Sequence, residues 1–471
     1  MAFWLILGLL LAAVFLGAVF RGRILVATGL DVQGGAATIS PTLFPLPTTP
    51  VPEPEEGLPG MALPVAGGIT PDRKALEAKI SALDTKLLVE AQDEDDKNKK
   101  PKKATRAYQV IDVASGKVVG ASKSGALLIP ASNTKTLTVV AAMNIFQGDE
   151  TFATTVVQPE PGRIVLVGGG DAQLVSAKPK RGTYPRNAST QELAELTAAA
   201  LTQAGIDKVT LGYDASLFED SGWADTWPGN YRDQVTQLSA LWVDEGRTNG
   251  GRSRTAALDA ATIFAEQLGK EGITVSGKPT EEKGSGEELA RVESTPVHVQ
   301  VEQAMQRSNN SFTEVLGFQL ALATGHPATF DGSVAAIEEQ LTELGIWDDG
   351  AELHDASGLS RQNKVSAAML TQAMAHIVQS PRLSVILEGL PVAGVTGTLA
   401  TRFDDDTSRG ARGVARAKTG TLSLVATLSG TTTTDDGAVL AYAFMVNGAP
   451  NGWAAKVWTD QAVGAITACG C

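Results

Sequence analysis

Cysteine and histidine are almost missing from this sequence. Its two cysteines, Cys469 and Cys471, share a terminal "CGC", and its four histidines (His298, His326, His354, His376) form no H-E-x-x-H and no close pair. Two thiols are too few for a structural zinc site, so no metal centre is expected. At this level a strained disulfide across Gly470 and a pair of free thiols both stay open, and neither reads as catalytic. A basic excess is missing as well. The formal net charge is −13, which argues against nucleic acid, whose phosphates need clustered Lys and Arg. The glycine-rich "VGGGDAQL" (167–174) lacks G-x-G-x-x-G spacing and reads as a turn ending at Asp171. It implies no nucleotide, and no other cofactor is expected.

Long apolar runs are also absent, save one. Residues 2–20, "AFWLILGLLLAAVFLGAVF", are 19 uncharged, mostly apolar positions, just long enough to cross a bilayer as a helix. Residues 1–23 are therefore expected to be a membrane anchor first and a cleaved signal second. Arg21 and Arg23 follow the run, a charge placement that disagrees with an exported domain. Residues 24–103 read as a linker. Eight prolines between 40 and 64 favour extended, unpaired backbone. A short helix is expected from Pro71 in "PDRKALEAKISALDTKLLVEAQ", and "DEDDKNKKPKK" then forms a solvated charged block. A spanning helix followed by a long spacer suggests a domain held off a membrane surface.

What remains is roughly 370 residues, enough for two or three domain-sized units. Hydrophobic content of 43% and charged content of 19% suit an ordinary globular core. "RAYQVIDVASGKVVGASKS" (106–124) alternates about a turn and predicts a hairpin. "VARAKTGTLSLVATLSG" and "GAVLAYAFMVNG" predict strands. "WAAKVWTDQAVGAITA" predicts a closing helix with Trp453, Val457, Ala462 and Ile466 on its buried face. Hairpin, helix, strands and last helix together predict an α+β fold, an antiparallel sheet covered by helices. The texture changes between about 150 and 290 to short strands and Ala-rich helices. The expected division is thus 104–150 and 291–471 for a catalytic domain and 151–290 for an inserted module.

Three short patterns carry chemistry. In "IPASNTKTLTVVAAMNIF" (129–146), Ser132 and Lys135 stand three apart at a helix start, so they share a face. The plain reading is a helix cap and a solvated lysine; the sharper one is a nucleophile and its base. Lysine in a first turn opposes the helix dipole. "QRSNNSF" holds S-x-N at Ser308 and Asn310, equally suited to capping the next helix. "RAKTGTLS" holds Lys418, Thr419 and Gly420 within a β-rich run. In the order S-x-x-K, S-x-N, K-T-G they match the signature set of penicillin-recognising serine enzymes. No part of that set falls in the middle module, so the chemistry is not expected to depend on it directly; its expected role is to shape access to the cleft or to support the catalytic domain.

On these residues, and on "VGGGDAQL", "DASGLSRQNKVS", "PVAGVTGTL" and "AKTGTL" in the same order, the chain resembles the D-alanyl-D-alanine carboxypeptidases/endopeptidases of the class C low-molecular-mass penicillin-binding proteins, from about residue 104 to 468. The gap of about 170 positions between the first and second motifs resembles that class, with its large insertion; class A β-lactamases place the second motif far closer. Ala172, Ala356 and Thr396 depart from the residues usual in the flanking blocks, which touches substrate detail more than chemistry. The resemblance implies a penicillin-recognising serine transpeptidase-like domain acting on peptidoglycan stem peptides from the extracytoplasmic side of the cell envelope, with β-lactams as covalent inhibitors.

It also implies roles. Ser132 would be acylated, and Lys135 would take its proton, which requires a depressed pKa. Ser308 and Asn310 would relay a proton to the leaving D-alanine and orient Lys135. Lys418, Thr419, Gly420 and Thr421 would bind substrate, Lys418 and the two threonine hydroxyls at its carboxylate. The Ser132 and Thr421 N–H groups would form the oxyanion hole. Ser357 is a candidate cleft edge or simply part of a packed loop. Two rival readings remain: a β-lactamase-like hydrolase, which would release its acyl group quickly, and a catalytically silent cell-wall-binding module.

Overall fold

A computed structural model describes residues 68–89, 103–220, 222–248 and 250–471. The apolar run 2–20 and the proline-rich stretch 40–64 lie outside the described residues. Among the described residues no helix is long and apolar enough to cross a membrane.

The two ends of the described chain build one antiparallel sheet. Its strand order is Arg416–Leu422, Val425–Thr433, Val439–Asn447, Thr105–Asp112, Lys117–Ser122. The third strand, "VLAYAFMVN", is buried along almost its whole length, as a strand covered on both faces must be. Successive side chains point to opposite faces. Ala441, Ala443 and Met445 therefore meet the helices Thr134–Ile145 and Ala367–Gln379. Tyr442 and Phe444 meet the closing helix Gly452–Thr467 on the other side. The α+β reading and its hairpin hold.

Two expectations about this sheet need correction. The helix Arg73–Ser81 is not linker. Asp72 caps it by accepting from the Ala75 N–H at 2.9 Å, and Leu76 and Ile80, one turn apart, are buried against the sheet. The catalytic domain thus begins before residue 104, because these apolar side chains cover a face that would otherwise be wet. In the closing helix Trp453 is 68% exposed while Trp458 is 2% exposed. Ala462 and Ile466 are buried as predicted, but the rest of the buried face runs through Ala454, Ala455, Trp458 and Val463 instead of Trp453.

The inserted segment folds on a second sheet, ordered Glu287–Glu293, Ala153–Glu160, Arg163–Val167, Lys208–Asp214, Thr274–Val275. Its entering and leaving strands pair with each other, so the insertion ends beside its start and runs past residue 290. Helices Thr190–Gln203 and Ala256–Lys270 cover it through Leu193, Leu201, Phe264 and Leu268. Not all of the insertion belongs to this core. Phe218, Trp227, Val235 and Trp242 pack with Phe312, Phe318 and Phe330 of the catalytic helices. Phe218 lies edge-on to Phe318 at 5.1 Å and Trp227 to Phe330 at 5.0 Å, contacts that add to plain burial. This stretch belongs to the floor of the catalytic domain.

Candidate active site

A cleft of about 670 Å³ is lined by Ser132, Ser308, Asn310, Thr419 and Thr421 together with Asn230, Tyr231, Asp233 and Gln234 of the insertion. All three motifs therefore reach one place, and the insertion supplies a wall of it.

Ser132 sits in the 3-10 turn Ala131–Asn133 that leads into the helix Thr134–Ile145, and no side chain caps that helix. The cap reading of Ser132 is thereby removed. Ala131, just before it, has φ 48°, a region a β-carbon resists. The turn is pinned to the sheet: the Asn133 Nδ2 donates to Thr427 Oγ1 at 2.6 Å, and Thr427 Oγ1 donates to the Pro130 carbonyl at 2.7 Å.

Lys135 is fully buried, not solvated. Its Nζ lies 3.3 Å from Ser132 Oγ, 2.7 Å from Asn310 Oδ1 and 2.6 Å from the Ser357 carbonyl. A protonated amine donates to all three. A neutral amine spends its two N–H groups on the two closer acceptors and turns its lone pair toward the Ser132 hydroxyl. Burial brings its pKa down to about 8, while the Glu314 and Asp355 carboxylates pull it back up. This is the state a general base needs.

In the second motif the capping reading fails for a specific reason. The helix Asn310–Ala323 is capped by Asn309, whose side chain accepts from the Phe312 N–H at 3.2 Å. The middle residue caps, and its neighbours are released to the cleft. Ser308 adopts φ 51°, and its Oγ accepts from Lys418 Nζ at 2.7 Å. Asn310 donates through Nδ2 to the Gln234 carbonyl at 3.0 Å. That bond fixes which end of the amide faces Lys135.

Lys418 is fully buried, and burial followed by the nearby Lys135 charge lowers its pKa well below the ordinary value. Its strand, Arg416–Leu422, is a sheet edge. The Ala417 N–H points away from the sheet to the Pro391 carbonyl at 3.0 Å. By the two-residue period the Thr419 and Thr421 N–H groups point out on the same side. The Thr419 hydroxyl donates to Thr398 Oγ1 at 3.0 Å. Gly420 does not line the cleft. A β-carbon there would lie 2.1 Å from Thr427 Oγ1 and 2.6 Å from the Pro130 carbonyl, so its part is to let the strand close on the Ser132 turn, and the expectation of direct substrate contact is corrected.

Sequence reasoning missed the groups beneath these residues. Glu314 is fully buried and accepts from the Ala356 and Ser357 N–H groups at 3.0 and 2.8 Å. Burial and then the Asp355 charge raise it to about 8. Asp355 accepts from the Gly358 N–H at 2.8 Å and from Trp227 Nε1 at 2.7 Å. The "DASGLS" loop is thus packed, and Ser357 acts through its carbonyl on Lys135. A signal for Glu314 did exist: it is the sole carboxylate in the apolar helix "NSFTEVLGFQLALA". Asp171, at the end of the glycine run, is 4% exposed, and burial raises it to about 7. It is not among the cleft-lining residues.

The model of the D-Ala-D-Ala carboxypeptidase 3 (S13) family matches residues 91–251 and 247–468. A carboxypeptidase of Mycobacterium tuberculosis is 33% identical over 381 residues, covering 78% of this chain and 80% of that protein. Carboxypeptidase DacB of Mycolicibacterium smegmatis is 35% identical over 360 residues, covering 73% and 76%. Among solved structures, penicillin binding protein 4 of Haemophilus influenzae superposes with a TM-score of 0.66 at 20% identity, over 83% of this chain and 98% of that one. That last likeness is one of fold.

Proposed function

The chain belongs to the D-Ala-D-Ala carboxypeptidase 3 (S13) family and is a D-Ala-D-Ala carboxypeptidase; from that premise we propose that Ser132 is the residue it acylates and Lys135 the base that activates it. The observation that carries this reading is Lys135, fully buried, with two fixed acceptors and the Ser132 hydroxyl at 3.3 Å. Ser132 Oγ attacks the carbonyl between the two D-alanines and gives its proton to Lys135 Nζ. The C–N bond breaks as the proton held on Lys135 passes through the Ser308 hydroxyl, which Lys418 holds at 2.7 Å, to the leaving amine. Water then hydrolyses the ester by the reverse path. The N–H groups of Ser132 and Thr421 hold the developing oxyanion, at about 3 kcal/mol for each donor.

The substrate in this reading is a peptidoglycan stem peptide ending in D-Ala-D-Ala, laid as an added strand along the open edge of Arg416–Leu422. Thr419 and Thr421, which line the cleft, face its terminal carboxylate, and the buried Lys418 acts from beneath through Ser308. β-Lactams acylate the same serine. One related structure, penicillin binding protein 4 of Haemophilus influenzae, is described as a complex with a β-lactam, which supports this part by analogy. Such a substrate supports a location on the extracytoplasmic side of the envelope, testable by protease accessibility in spheroplasts.

Labelled penicillin followed by peptide mapping tests the assignment. The adduct is expected on Ser132, and labelling that persists undiminished in Ser132→Ala removes the proposal. Mass spectrometry of muropeptides after incubation with the protein reads the products: loss of a terminal D-alanine is the expected change.

A further inference from the structure

Three residues outside glycine hold left-handed backbone at one point of contact. Asp244 and Glu245 have φ of 52° and 60° in the insertion, and Ser308 has 51° in the S-x-N motif. Such conformations persist only where their surroundings over-determine them. Asp244 is held within the insertion by Leu174 and Ser176, while Glu245 reaches the residues that flank Ser308. The Glu245 carboxylate pairs with Arg307 and accepts from Asn309 Nδ2 at 3.1 Å. Those are the two residues on either side of Ser308.

We propose that Glu245 is a positioning residue for catalysis, a latch by which the inserted segment holds Ser308 against Lys418 and Asn310 against Lys135. The proposal rests on the reading of the site given above. Around Glu245 the latch is built, not incidental. Arg247 pairs with the same carboxylate at 3.3 Å. The Glu245 carbonyl accepts from Thr236 Oγ1 at 2.6 Å, and Arg252 Nη1 donates to that hydroxyl at 2.8 Å. The Thr236 N–H in turn donates to Ser311 Oγ at 3.1 Å, one residue past Asn310. Gln234, Thr236 and Glu245 between them thus bond Arg307, Asn309, Asn310 and Ser311. The Glu245 side chain is only 13% exposed. Burial pushes its carboxyl up, but the Arg307 charge and the bonds from Arg307 and Asn309 hold it below the usual range. It is therefore ionised at neutral pH, and a charge so placed is costly to leave without its partners.

A merely structural brace and a positioning latch differ in what they predict. Glu245→Gln keeps the size and loses the charge. The second-order rate of Ser132 acylation by fluorescent penicillin should fall about tenfold, within the range seen for coupled neighbours in one network, while the melting temperature holds. In a Ser308→Ala background the same substitution should cost clearly less, because part of its effect passes through Ser308. Wild-type acylation in Glu245→Gln, or a full additional loss in the Ser308→Ala background, overturns the proposal. Should Glu245→Gln fold poorly, Arg307→Lys carries the same cycle, since it keeps the charge and loses the planar fork. Failure of the underlying site reading looks different: labelling would survive Ser132→Ala, or Ser308→Ala alone would leave the rate unchanged.

Discussion

Acylation should follow the neutral form of Lys135 as pH rises. Burial lowers this amine to about 8. About one molecule in ten then carries the neutral amine at pH 7, about half near pH 8 and about nine in ten at pH 9. The folded value lies below the ordinary one, so activity is present above about pH 8 and lost as pH falls through it. The second-order rate constant for a fluorescent penicillin, taken by stopped flow, should rise about tenfold from pH 7 to pH 9 and then level off. A lysine at its ordinary value would instead give about a hundredfold rise over that interval, with no plateau. Glu314 sharpens the test. Its charge holds Lys135 up, and burial with the Asp355 charge raises Glu314 itself to about 8. The two titrate together, so the midpoint belongs to the pair. Glu314→Gln removes the charge and should move the midpoint down. A logarithmic rise that continues straight to about pH 9.5, or a midpoint in Glu314→Gln at or above that of the parent, refutes the reasoning.

The two buried lysines should respond differently to the same change. Lys135→Arg keeps the proton permanently and should cost roughly 10²- to 10⁴-fold in acylation rate, the span of a lost general base. Lys418→Arg keeps an N–H donor beside Ser308 and should cost less, about tenfold; equal losses would contradict the division of roles. Gly420→Ala places a methyl against Thr427 and the Pro130 carbonyl and should destabilise by about 1–3 kcal/mol through overpacking, read as a lower denaturant midpoint with slower acylation. Trp453→Ala should change stability by no more than about 0.5 kcal/mol, whereas Trp458→Ala should cost about 3–5 kcal/mol; chemical denaturation of the pair checks which face of the closing helix is buried.

The middle segment holds none of the three motifs, so the chemistry is not expected to depend on it directly. Yet Gln234 fixes the Asn310 amide, Trp227 bonds Asp355, and Glu245 grips Arg307 and Asn309. Each acts through a side chain or carbonyl whose partner lies 60 or more positions away, and no local spacing records such a pair.

Local sequence determined a good deal. The alternation in 106–124, the β-rich runs near the carboxyl end and the helix start at Ser132 settled the α+β class, because strand and helix periods are written in neighbouring residues. The i, i+3 relation of Ser132 and Lys135 was legible for the same reason. Tertiary structure alone decided that Lys135 is dry and therefore able to be neutral, that Asn309 rather than Ser308 caps its helix, and that Arg73–Ser81 covers the sheet. It also turned Trp458, not Trp453, inward. Burial is a property of what packs from elsewhere in the chain, and both the pKa of a lysine and the buried stripe of a helix depend on that packing more than on the residues beside them.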